Sequence, residues 1–315
     1  RQGEEAGPCV QAVRKWRAAW AETGCLKETG GNQWGIAFEG VPAHLVRLCP
    51  GQDDFPALPE PGPPQTSADP SGAPLGGLPG ETPVVIEPPR VRKPGEPARL
   101  CIVIDDLGAS AAAIETLLGL DYPVSFAFWP HGAHTRKGAF AANAAGMEIL
   151  VHQPMEPLGY PGVKPGPDVL LVGMSGDQIR EILLRSVKAV PFASGLNNHM
   201  GSRFTQDTAG VEAVLSVLKE KELFVLDSLT HAGSVFMLQA KKMGLEHYKR
   251  DVFLDVTPSK NDILARLRQA ERIALLTGSA VAIGHPKPET LAALKDWQKL
   301  RNRQVSIVRL RELGR

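Results

Sequence analysis

From about residue 98 onward the chain alternates short apolar runs with longer stretches of helical periodicity, a pattern few folds can accept. The runs fall at 100–104, 124–128, 148–151, 195–198, 224–226, 252–254, 280–283 and 305–308. Between them, apolar residues recur at helical spacing over 111–118, 137–145, 175–190, 206–220, 234–243, 261–276 and 288–300. Strand and helix in turn, repeated about seven times, predict a parallel α/β sheet or barrel. The repeat length is near that of a TIM-type barrel, but the chain is short for eight full units. No G-x-G-x-x-G follows a strand and no G-x-x-x-x-G-K-[ST] occurs, so neither a dinucleotide site nor a P-loop is expected.

Most of the apolar runs share a second property: they end in a residue that can bind metal or carry a proton. Leu100-Cys101-Ile102-Val103-Ile104 is apolar enough to be buried on both faces, and it runs into Asp105-Asp106. The run at 148–151 ends at His152, followed by Gln153-Pro154-Met155-Glu156. The run near Leu196 ends at Asn197-Asn198-His199, and the run at 224–226 at Asp227-Ser228. Asp255 ends the run at 252–254, with Arg250-Asp251 just before it, and His285 ends the run at 280–283. In a barrel such ends converge on one face. Six ends carrying Asp, Asn or His therefore point to one shared metal or catalytic site. Neighbouring side chains on extended backbone point to opposite sides, so one Asp of the pair can bind metal while the other faces a nucleophile. Two imidazoles and a carboxylate are a usual zinc set with a position left for water, whose pKa then falls to roughly 7. A free carboxylate can take that proton, and a His on the far side can protonate a leaving group.

Each of these residues also has an architectural reading. Asp106 can cap the helix starting near Ser110. Asp227 with Ser228 can cap a helix, Asp255 can cap the turn before Pro258, and Arg250 with Asp251 can form an exposed ion pair. For His131 and His134 a loop or groove role is preferred to metal binding. His44, His231 and His247 are expected at the surface, and Trp129 either stacks a sugar ring or packs in the core.

The remainder of the sequence bounds the context. The formal net charge of +1 gives no electrostatic case for nucleic acid or an anionic membrane. No apolar run approaches the roughly 18 residues of a membrane span. Residues 1–50 read as a small module, with Val10, Val13, Trp16, Ala19 and Trp20 at helical spacing and one or two strands expected within 34–48. Residues 51–97 are a Pro/Gly-rich stretch that reads as an extended linker, and 98–315 as the main domain. Cys9, Cys25 and Cys49 crowd into the first part without zinc-like spacing, and a disulfide among them would suit an oxidising compartment. Cys101, in the first strand, is expected to be an inert core residue. The sequence begins Arg1-Gln2-Gly3. A preceding signal or anchor, with export to the periplasm or cell envelope, is the expectation.

The runs I-V-I-D-D-L-G, E-I-L-V-H-Q-P-M-E-P, G-L-N-N-H-M-G-S-R-F-T, F-V-L-D-S-L-T, R-D-V-F-L-D and A-I-G-H-P resemble, in that order, the divergent polysaccharide deacetylase family over about 98–312. The resemblance implies a distorted (β/α) barrel of about seven strands that binds a divalent metal, often zinc. It implies Asp105 as catalytic base, Asp106 and His152 as metal ligands, and His285 as general acid. The related deacetylases carry H-x-x-x-H, whereas Glu156 stands four residues after His152 here. His199 is the preferred third ligand and Glu156 its rival. Asn198, Arg203, Asp227, Arg250 and Asp255 would line the site or orient its ligands. The expected activity is deacetylation of an N-acetylated envelope glycan through metal-activated water. The alternatives are a metal-dependent esterase or other hydrolase on another envelope substrate, or a silent carbohydrate-binding or partner-binding module. Residues 1–50 would recruit a cell-envelope protein partner.

Overall fold

The computed structural model describes residues 91–313 and the backbone of three strands before them. The chain divides into two compact units, Arg1–Pro88 and Pro89–Arg315. In the first, β1 (Leu26–Glu28), β2 (Gln33–Phe38) and β3 (Val41–Arg47) form an antiparallel sheet in that order. The helical spacing over Val10–Trp20, the three early cysteines and most of the expected linker lie outside the described residues.

The second unit alternates strand and helix as the periodicity requires. Its elements begin β4 (Ala98–Leu107), α1 (Ala111–Leu118), β5 (Ser125–Phe128), α2 (Thr135–Ala144), β6 (Glu148–Met155), α3 (Gly176–Ala189), β7 (Gly195–Met200) and α4 (Thr208–Glu220). There follow β8 (Phe224–Asp227), α5 (Phe236–Lys242), β9 (His247–Lys249), β10 (Val252–Phe253), α6 (Lys260–Thr277), β11 (Ser279–Gly284), α7 (Pro288–Leu300) and β12 (Val305–Ile307). Every pairing between these strands is parallel, in the order β10-β11-β4-β5-β6-β7-β8-β9, with β12 against the start of β4. The two end strands, β9 and β10, are separated by Arg250 and Asp251 alone. Arg250 N donates to Asp227 O (3.0 Å) and Asp251 N to Val281 O (2.8 Å), so one run of chain joins the sheet's two ends. The sheet thus curls into a distorted (β/α) barrel. Arg250 and Asp251 serve this closure and are not an exposed ion pair. The Arg250 guanidinium donates to Ser228 O and Leu229 O, both at 2.8 Å, while Asp251 Oδ2 accepts from Val281 N (2.8 Å).

Alternation along the strands sorts the two faces. Leu100, Ile102 and Ile104 join the large core under the helices, with Val151, Leu196 and Val225. Cys101 and Val103 face inward with Leu150, Phe224, Leu226, Val281 and Ile283, where Leu310 and Leu313 complete a smaller inner core. Gly195 is required at the start of β7 because a Cβ there would overlap the Phe224 ring. Burial pushes the Cys101 thiol well up, consistent with an inert core residue. Ser110, not Asp106, caps α1: its hydroxyl accepts from Ala113 N at 3.2 Å.

Candidate metal and catalytic site

The C-terminal ends of the strands carry a cavity of about 330 Å³ lined by Asp105, Asp106, His152, Asn198, His199 and His285, with Met200, Ser228, Thr230, Phe253 and Lys287. Its first two residues arrive by a break in the sheet's register. Ile104 pairs with Phe126 and Leu107 with Phe128, so Asp105 and Asp106 together oppose Ala127 alone. This is a β-bulge, a device that re-aims a side chain beside a site. Asp105 continues the inward stripe of Cys101 and Val103. Asp106 would face the helices by alternation, but its backbone is left-handed, with φ 54°. That conformation costs a non-glycine residue roughly 1–2 kcal/mol. Both carboxylates therefore enter one cavity, which corrects the expectation that neighbours must point to opposite sides. Gly108 follows at φ 117°, where a Cβ would overlap the Thr135 hydroxyl.

Three donor atoms converge. Asp106 Oδ1 lies 3.2 Å from His152 Nε2 and 3.0 Å from His199 Nδ1, and the two imidazole nitrogens are 3.2 Å apart. Tetrahedral zinc with arms of about 2.0–2.1 Å places its ligand atoms about 3.3 Å apart, so this trio fits such an ion. Asp106 Oδ1 is shut from water and faces no backbone amide or hydroxyl, only the two imidazoles, as a ligating oxygen would be placed. Burial works to raise the Asp106 carboxyl, but His152 and His199 hold it well below the usual carboxylate range. Burial also works against a charged His152, but the Asp105 and Asp106 carboxylates outweigh it and raise its pKa to about 9.

Beside the trio stand a second carboxylate and a third imidazole. Asp105 is 2 % exposed, and burial raises its carboxyl against the pull of His152 and His285. His285 Nε2 lies 4.0 Å from Asp106 Oδ2. Its Nδ1 bonds Asp255 Oδ1 at 2.9 Å, while Asp255 Oδ2 accepts from His285 N (2.9 Å) and Thr290 Oγ1 (3.1 Å). Asp255 is thus an orienter of His285 and not a cap for the turn before Pro258. Burial alone would lower the His285 pKa, and Asp255 reverses that to a net rise.

Other residues singled out in the sequence lie elsewhere. Glu156 is outside the donor trio: Oε1 pairs with Arg203 (2.9 Å) and Oε2 accepts from Val172 N (2.7 Å). Glu156 and Arg203 fasten two loops to each other and line no part of the cavity. Asp227 shares its face with Val225, so its carboxylate turns towards the helices. There it accepts from Leu229 N (2.8 Å) and Ser234 Oγ (2.7 Å), bracing a loop. Arg250 supports that loop through Ser228 O and Leu229 O and does not line the cavity. Asn198 donates to Met200 O (2.7 Å) and accepts from Ser228 N (2.9 Å), shaping the rim. His131 pairs with Asp168 at 3.0 Å, away from the trio. Trp129 packs edge-on against His199, with ring centroids 5.2 Å apart. Sequence reasoning named Asn197 within a strand end but gave it no role, and it bonds both His152 Nδ1 (2.9 Å) and Asp105 Oδ1 (2.8 Å). Two-residue alternation would have found it, since Asn197 and His199 share a face.

The sequence profile of divergent polysaccharide deacetylases matches residues 102–313. The chain belongs to that family. This divergent deacetylase-family chain is 36% identical over 197 residues to the uncharacterised protein YibQ of Escherichia coli K12, covering 62% of this chain and 61% of that protein. The match thus spans less than two thirds of YibQ. An uncharacterised protein of Haemophilus influenzae is 33% identical over 218 residues, covering 69% of this chain and 77% of the other. The crystal structure of the uncharacterised protein ATU2773 from Agrobacterium tumefaciens C58 superposes with a TM-score of 0.65 at 30% identity, covering 70% of this chain and 91% of that one. In this family member the third candidate donor comes from β7, where His199 sits opposite Pro154 of the neighbouring β6.

Proposed function

We propose that this domain is a metal-dependent hydrolase that removes an acetyl group from an N-acetylated glycan of the cell envelope. The observation that carries the reading is the trio of Asp106, His152 and His199 donors 3.0–3.2 Å apart, set beside Asp105 and His285 in one cavity. Zinc held by that trio would polarise the scissile carbonyl and lower the pKa of water. Asp105 accepts the proton of the attacking water. His285 donates a proton to the departing amine, with Asp255 holding its Nδ1 so that Nε2 faces the cavity. Asp255 shifts the His285 pKa upward, which favours the acid form. The domain at 98–315 would act in the periplasm or envelope, with 51–97 as its tether and 1–50 recruiting an envelope protein.

The test is zinc content together with acetate release from N-acetylglucosamine oligomers. About one zinc per chain is expected, and Asp105→Asn should keep the metal while losing roughly 10²–10⁴-fold in turnover. Release from O-acetyl but not N-acetyl glycans would change the bond to an ester. No retained metal after reconstitution with several divalent ions would overturn the reading in favour of a binding module.

A further inference from the structure

Asn197 is fully buried and makes three side-chain hydrogen bonds to three different elements. Its position on β7 is paired with His152 on β6 by the strand register, so the two side chains stand side by side on the inner face. Nδ2 donates to Asp105 Oδ1 (2.8 Å) on β4 and to Ser228 Oγ (3.1 Å) after β8, while Oδ1 meets His152 Nδ1 (2.9 Å). The amide cannot be reversed: that would set its carbonyl oxygen against the Asp105 carboxylate, acceptor against acceptor. The orientation has two consequences. An amide oxygen only accepts, so His152 must carry its hydrogen on Nδ1, which leaves the Nε2 lone pair aimed at the trio. The bond from Asn197 is also the one hydrogen bond Asp105 accepts among the described residues, so the amide fixes Oδ1, while Oδ2 has the His152 Nδ1 at 3.7 Å and no hydrogen bond.

We propose that Asn197 is a positioning residue that locks the His152 tautomer for metal binding with one end of its amide and aims the Asp105 carboxylate with the other. The inference rests on the hydrolase reading for its Asp105 half, while its His152 half stands on metal binding alone. Leucine matches the shape of asparagine and removes both functions. Aspartate keeps the acceptor for His152 and sets a second buried carboxylate against Asp105, so that the two share a proton and Asp105 becomes a poorer base.

The experiment measures zinc affinity by chelator competition, the imidazole nitrogen resonances of the zinc-loaded protein, and kcat and KM at pH 8. Circular dichroism checks each variant's fold. Asn197→Leu should bind zinc roughly 10- to 100-fold more weakly, the range for removing a residue that supports a ligand. Asn197→Asp should hold zinc within about threefold of the parent while kcat falls on the order of a hundredfold at unchanged KM. A parent protein with the His152 proton on Nε2, an Asn197→Leu variant with parental zinc affinity, or an Asn197→Asp variant with parental kcat would each overturn the proposal. A parent that binds zinc but releases no acetate would fail the hydrolase reading and with it the Asp105 half. The His152 half would then stand or fall on the imidazole resonances and the zinc affinity of Asn197→Leu.

Discussion

The barrel holds a carboxylate at each end, one buried and one half-buried with a single oxygen shut from water, and the two are treated in opposite ways. At the start of β6, Glu148 is enclosed by donors: Oε2 accepts from Ser125 Oγ (3.0 Å) and Leu310 N (2.7 Å), and Oε1 from Arg311 N (3.4 Å). These bonds pin the C-terminal turn that brings Leu310 and Leu313 into the inner core. At the end of β4, Asp106 Oδ1 meets no backbone amide or hydroxyl, only two imidazole nitrogens at 3.0 and 3.2 Å. Protein backbone and hydroxyls complete the first carboxylate, so it is architecture. The second is held on strained backbone against two imidazoles, a donor set that a cation would complete. What separates the two is the identity of the neighbouring atoms.

The comparison breaks if the two carboxylates can be exchanged in their effects. Asp106→Gly should weaken zinc binding by roughly a hundred- to a thousandfold, a one-ligand share of the 10–16 kcal/mol typical of protein-bound zinc. In metal-free protein the relief of strain at φ 54° offsets part of the lost attraction to His152 and His199, so Asp106→Gly should melt higher than Asp106→Ala. Titration calorimetry and a thermal melt check both halves, and an Asp106→Gly apoprotein that melts no higher than Asp106→Ala would count against stored strain. Glu148→Ala should do the reverse. Leaving the Leu310 and Arg311 amides unsatisfied should cost about 2–3 kcal/mol in denaturant unfolding, with zinc affinity unchanged. Coupled losses in this variant would mean that the two ends of the barrel communicate.

The barrel was legible in the sequence because its signal is carried by many residues at once. α1 falls on 111–118 as predicted, and the apolar runs mark where the strands start to within two residues. His247–Lys249 went unseen as a strand because its three residues are half-exposed and carry no apolar run. The site was legible as a set of strand ends, but not in its assignments. Asp227 was misplaced although its parity with Val225 already turned it outward. Asn197 was given no role although its parity with His199 turned it in. Asp106 was beyond such reasoning: alternation sends it to the wrong face, and only the bulge against Ala127 brings it back. Glu156 sits at the right spacing for a ligand, but Arg203 and the Val172 amide engage it first, and both come from loops that periodicity does not describe.

A smaller effect sharpens the comparison, because it concerns a buried carboxylate that belongs to neither kind. Asp255 is fully supplied with donors, as Glu148 is, yet one of those donors is His285, which faces the cavity. Burial would carry His285 below its ordinary 6.5, and the Asp255 carboxylate carries it above. In turn burial works to raise Asp255, and His285 holds it below 3.8. A raised histidine stabilises the fold fully below 6.5 and loses that contribution as pH rises through its folded pKa. A depressed carboxylate stabilises fully above 3.8 and loses its contribution as pH falls. The pair's contribution is therefore greatest between 3.8 and 6.5, and the melting difference between parent and Asp255→Asn should peak there. In turnover, the same substitution should move the alkaline limb of the pH profile from above 6.5 towards or below it, with zinc affinity unchanged. The acid limb, set by Asp105, should stay where it is, above the ordinary 3.8. An alkaline limb that does not move would mean that Asp255 only buttresses the turn around His285, and it would then belong with Glu148.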